Sequence, residues 1–119
     1  MHCDNPKIQI PTRLQGKYNE VVNSLIDHAD VLNMEKLILF GSVARGDAKL
    51  SSDLDFLVVV EDHSYVRKVS KAIEVLDLRE DVGPVCCDII VRSKDFIEGD
   101  SIFAKAIRKD GVTLWEILK

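Results

Sequence analysis

The chain has 119 residues, a formal net charge of −4, and 46% hydrophobic against 30% charged residues. That composition describes one domain able to build its own core. No run approaches the roughly 18 consecutive apolar residues of a membrane-spanning helix, and the acidic balance gives no overall basic footprint for nucleic acid.

The start, Met-His-Cys-Asp-Asn-Pro, is polar and lacks a signal-peptide core, so a cytoplasmic location is expected. The three cysteines are an odd number without metal-ligand spacing. Cys86 and Cys87 are adjacent, and neighbours in a strand point to opposite faces. They read as reduced thiols, one of them buried as a small hydrophobe. His2, His28 and His63 are isolated and read as surface residues.

Residues 1–13 read as a loosely held arm of a single domain spanning 1–119. Leu14, Tyr18, Val21, Val22, Leu25, Ile26, Ala29 and Leu32 follow the helical period, with Thr12 as N-cap. Glu35 to Phe40 is a short apolar strand ending at Gly41, and 42–48 suits a short helix starting at Ser42. Ser51 and Ser52 are turn residues; Asp53 to Val60 reads as a buried strand. After the turn Glu61-Asp-His-Ser64, the positions Tyr65, Val66, Val69, Ala72, Ile73 and Leu76 mark a second helix. Gly83-Pro84 breaks the pattern, and Val85 to Val91 is a third strand. Residues 94–110 read as one helix with Phe96, Ile102, Phe103, Ala106 and Ile107 inward, stopped by Gly111 before a closing segment over 112–118. The alternation predicts an α/β (α+β) fold with a small sheet of three or four strands flanked by helices.

The chemistry concentrates between residues 40 and 60. Asp53 and Asp55 alternate with Leu54 and Phe56, so both carboxylates face one side of their strand. Like charges so placed repel, and a divalent cation that prefers oxygen ligands relieves the repulsion. Exposed charge at a strand end, capped by water, has the same local pattern. Asp88 adds weight, because a charge inside Val85-Cys-Cys-Asp-Ile-Ile-Val91 needs a partner if that strand is buried. Were the two strands neighbours, three carboxylates would meet, and two metal ions there could serve phosphoryl-type transfer. Gly41 lets the backbone come close to a phosphate, and Ser42 offers a hydroxyl and an N–H at the start of a helix. Arg45, three residues on, either reaches phosphate or pairs at the surface with Asp47 or Asp53.

Gly41-Ser-Val-Ala-Arg-Gly-Asp-Ala-Lys-Leu-Ser-Ser-Asp-Leu-Asp55 resembles the Gly-Ser-x10-Asp-x-Asp signature of the DNA polymerase β-like nucleotidyltransferases. Within that superfamily the chain is similar to the minimal nucleotidyltransferases, from its first helix through the Asp88 strand to the closing Ile107–Glu116 segment. The resemblance implies a mixed sheet flanked by helices. It implies that Asp53, Asp55 and Asp88 bind two catalytic Mg²⁺ ions and that Gly41 and Ser42 hold the triphosphate of ATP. Larger relatives carry a helical domain for the acceptor, which is not found in these 119 residues. Minimal members pair instead with a HEPN-type toxin in type VII toxin–antitoxin systems, moving AMP from ATP to a tyrosine of that partner. The expected activity is therefore a protein adenylyltransferase acting as an antitoxin. Two alternatives stand beside it: a binding module that neutralises its partner sterically, and a transferase for a small-molecule or nucleic-acid acceptor. Self-association is left open, and neither a membrane nor a nucleic-acid partner is expected.

Overall fold

A computed structural model describes residues 10–48, 53–76 and 87–118. The predicted turn at Ser51-Ser52, the break at Gly83-Pro84, most of the N-terminal arm, His2, Cys3 and Cys86 lie outside the described residues. The order of elements is α1 (Thr12–Asp27), α2 (Ala29–Leu32), β1 (Met34–Phe40), α3 (Gly41–Arg45), β2 (Leu54–Val60), a 3₁₀ turn (His63–Tyr65), α4 (Val66–Val75), β3 (Cys87–Ser93), α5 (Lys94–Ile97), α6 (Ile102–Asp110) and β4 (Val112–Glu116). The expected α/β class with a small mixed sheet is borne out. The four strands lie in the order β3-β2-β1-β4, antiparallel for β1 with β2 and β4, parallel for β2 with β3.

β2 is the axis of the domain. Its run Phe56-Leu-Val-Val-Val60 is buried on both faces, as expected for a strand with neighbours on each side and helices above and below. One face packs Leu39, Phe56, Val58 and Ile89 against Leu14, Val21, Val22 and Leu25 of α1 and Val69 and Ile73 of α4. The other face joins Ile38, Leu57 and Val59 to Ile107 of α6, with Phe40, Ile90, Ile97 and Phe103 packed around them. β3 is an edge strand and alternates between buried and more exposed positions. Cys87, on its buried side, forms no disulfide among the described residues. Among the described residues no helix is long and apolar enough to cross a membrane.

Three helix assignments differ from the sequence reading, each for a local reason. Pro11, not Thr12, stands at the N-cap of α1: its carbonyl accepts from the Leu14 N–H at 2.9 Å, while no side chain caps the helix. The predicted first helix breaks at His28, whose ring Nδ1 lies 2.8 Å from the Ser24 carbonyl oxygen. α2 then ends on Asn33 at φ +53, a left-handed conformation that asparagine tolerates better than most residues. The predicted 94–110 helix is two helices. Ser101 restarts it as an N-cap, its hydroxyl accepting from Ala104 N–H at 3.0 Å. The restart changes the phase of α6, so Ile102 (89% exposed) and Ala106 face outward and Ala104 and Ile107 face the core.

Phe56 is fully buried in the central strand and lies against Tyr18 of α1, ring centroids 6.1 Å apart. Phe56→Ala should cost about 3–5 kcal/mol in unfolding free energy. Urea denaturation followed by circular dichroism measures it.

Candidate active site

β1 runs into α3 through Gly41, and β2 returns beside it in antiparallel register, with Phe40 opposite Asp55. The Gly-Ser turn and the Asp-x-Asp segment are therefore neighbours by register, although ten residues separate Ser42 from Asp53. Gly41 sits at φ +81, and a Cβ built there would come 2.2 Å from Asp55 Oδ2. The Asp55 carboxylate thus packs directly over the bare α-carbon, so position 41 needs glycine for both backbone and space. The helix expected over 42–48 from Ser42 is α3, which starts one residue earlier at Gly41 and stops at Arg45, because Gly46 at φ +83 closes it, with Asp47 N–H donating to the Ser42 carbonyl at 3.1 Å.

On the other side of β2, the parallel register places Asp88 directly opposite Asp55. By alternation these carboxylates share the face of Leu57, Val59 and Ile90, at the end of the sheet beyond the apolar cluster under α6. Asp53 precedes β2 and is half-buried. The structure corrects one premise. Asp88 is exposed, not buried, because β3 is an edge strand with an outward-facing row of side chains. Its nearness to Asp55 follows from strand order and register, not from burial.

Asp55 carries the electrostatic strain. Burial, then the charges of Asp88 and Asp53, push its carboxyl from 3.8 up to about 6, and Arg45 opposes them. Arg45 makes the surface pair with Asp47 that was one of its two sequence readings, Nε to Oδ2 at 3.4 Å, with roughly half its side chain exposed (45%). Its charge nevertheless acts on Asp55. The charges of Asp88 and Asp53 are close enough to raise the cost of ionising Asp55, yet among the described residues no three His, Cys, Asp or Glu are gathered tightly enough to hold a metal ion as they stand. The donor set itself fits a hard divalent cation: all-oxygen, acidic and partly desolvated. Asp53, Asp55 and Asp88 are the residues that could hold one.

Phe40 was legible only as the last residue of a strand. The structure makes it the register partner of Asp55 and packs it edge-on against Phe103, centroids 5.4 Å apart. Its position immediately before Gly41 was the available signal, but the partner lies on α6, far away in sequence.

The nucleotidyltransferase domain family matches residues 20–108, and the chain belongs to that family. The fold agrees with that of a Sulfolobus solfataricus structure assigned as a nucleotidyltransferase, at TM-score 0.55 and 24% identity, covering 87% of this chain and 81% of that one. Looser likenesses include a toxin–antitoxin structure with AMP-PNP (TM-score 0.49, 20% identity, 83% and 73% coverage) and the MntA–HpeT toxin–antitoxin (TM-score 0.49, 17% identity, 92% and 75% coverage). Those two are too distant to carry a ligand or partner over to this chain. No curated protein matches the chain significantly.

Two outcomes are expected from the site's geometry. Asp55 is protonated more readily in the folded chain than at its ordinary value, so the native state binds more protons between pH 4 and 6 and loses stability as pH rises through that window. Asp55→Asn should therefore be more stable than the parent at pH 7.5, by about 1 kcal/mol after solvent screening, and the two should converge near pH 4. Thermal melts across that range measure the difference. Gly41→Ala should be destabilised by about 1–3 kcal/mol through the left-handed backbone and the displaced carboxylate, a loss that Asp55→Gly in the same chain should partly restore.

Proposed function

We propose that this nucleotidyltransferase domain moves AMP from ATP to a hydroxyl, a tyrosine, of a HEPN-type toxin, and serves as that toxin's antitoxin. The observation that carries the transferase part is the single register that sets Gly41 and Asp88 on either side of Asp55. Membership of the family supports it. The acceptor and the antitoxin role rest on the resemblance of the Gly41–Asp55 stretch to the minimal nucleotidyltransferases.

In this reading Asp53 and Asp55 hold divalent metal together with the phosphates, and Asp88 completes the set from the edge strand. Bound Mg²⁺ would supply charge neutralisation at the reacting phosphate and the diphosphate leaving group. Gly41 leaves room for the Asp55 carboxylate beside the turn, and Ser42 binds the triphosphate through its hydroxyl and N–H. Arg45, exposed beside the turn, exchanges its pairing with Asp47 for phosphate. The acceptor oxygen bonds to the α-phosphorus, the bond from that phosphorus to the β-bridging oxygen breaks, and diphosphate leaves. The hydroxyl proton passes to Asp88, the most exposed of the three carboxylates and so the one an incoming protein side chain can reach.

One observation favours the second reading, steric neutralisation without chemistry: among the described residues the carboxylates are not gathered into a ready ligand set. The two readings separate in one experiment. The chain is incubated with its HEPN partner, ATP and Mg²⁺, and the partner is weighed by intact-mass spectrometry. A gain of one or a few AMP masses is expected, reduced at least about 100-fold by Asp53→Ala. No gain, with Asp53→Ala still neutralising the toxin, leaves the steric reading in place.

A further inference from the structure

Beside the Gly-Ser turn, between the end of β1 and α6, lies a cavity of about 260 Å³. Its lining includes Phe40, Gly41, Arg45, Phe103, Ala106 and Asp110. Gly41 belongs to both this cavity and the carboxylate site, so one ligand can span them. We infer that the cavity receives the purine base of the nucleoside triphosphate, a proposal that rests on the nucleotidyltransferase function above.

The size is the first argument. Pockets that enclose drug-sized ligands run from about 300 to 1,000 Å³. A space below that range holds one ring system, with ribose and phosphates left outside. The walls are the second. Phe40 and Phe103 are both half-buried, so each retains uncovered ring surface, and Phe103 is held from behind by Phe96 at 6.0 Å. An aromatic ring fixed by its neighbours is a stacking surface for a base at small entropic cost.

Charge gives the third argument and the choice of base. Arg45 lines the cavity and its charge also acts on the Asp55 carboxyl, which suits the phosphate end of the ligand. Asp110 closes α6 and provides an acceptor-only carboxylate on the lining. An exocyclic amino group, as on adenine, can donate to it. Uracil presents carbonyl oxygens on either side of its N–H, and these would be repelled.

Ala106 is the point at which to test this, because it is exposed on α6 and lines the cavity without belonging to either core cluster. Ala106→Trp fills the cavity without removing a core side chain. Binding of ATP, UTP and inorganic tripolyphosphate in the presence of Mg²⁺ is measured by calorimetry for the parent chain, Ala106→Trp and Asp110→Ala. The expected result is a roughly tenfold or greater loss of ATP affinity in Ala106→Trp with tripolyphosphate affinity unchanged. Asp110→Ala should weaken ATP and, by removing the repulsion, strengthen UTP. Unchanged ATP affinity in Ala106→Trp, or an equal loss for ATP and tripolyphosphate, overturns the base site, as does an equal loss of ATP and UTP in Asp110→Ala for the role of that carboxylate. A parent chain that binds neither ATP nor tripolyphosphate overturns the nucleotidyltransferase reading itself, and the base site with it.

Discussion

The packing of the Asp55 carboxylate onto the α-carbon of Gly41 is the contact on which the site depends. It needs a residue without a Cβ, a left-handed backbone at position 41, and an antiparallel register that leaves no slack between the end of β1 and the start of β2. A slip of one residue would turn Asp55 to the opposite face, into the packing between the sheet and α1. The apolar run Phe56–Val60, buried on both faces, resists that slip, because every side chain in it already has its place. The core of the domain and the geometry of the site are thus fixed by the same strand.

The site lowers the stability of the fold that supports it. Asp53, Asp55 and Asp88 lie at one sheet end, two of them half-buried, with Arg45 as the counter-charge to Asp55 and that cation also paired to Asp47. Such an arrangement is unfavourable for folding alone and favourable for receiving positive charge. The opposing strain is local, since the buried clusters on the two sheet faces contain no charged residue. A domain of this size can bear it because the stabilising burial lies along the rest of β2.

Much of this was readable from residue order. The apolar runs of β1 and β2 gave the strands, and the shared face of Asp53 and Asp55 followed from alternation alone. The contact between Gly41 and Asp55 was not readable, because it depends on how the chain between them returns. Asp88 was picked out for a reason that does not hold: seven mostly apolar letters suggested a buried strand, but strand order, a tertiary property, puts β3 at the edge. The outward turn of Ile102 and Ala106 was missed because a single hydroxyl, that of Ser101, restarts the helix.

Asp55 is a carboxyl held among like charges, and the proposed function has it receive a divalent cation. Its titration can be followed directly by carbon-detected NMR of the side-chain carboxyl, first in the free protein and then with Mg²⁺ and tripolyphosphate. The account expects a midpoint of about 6 in the free protein and a fall below the ordinary carboxylate range once metal and phosphate are bound. A midpoint near 3.8 in the free protein, or one that metal and phosphate leave in place, would contradict it.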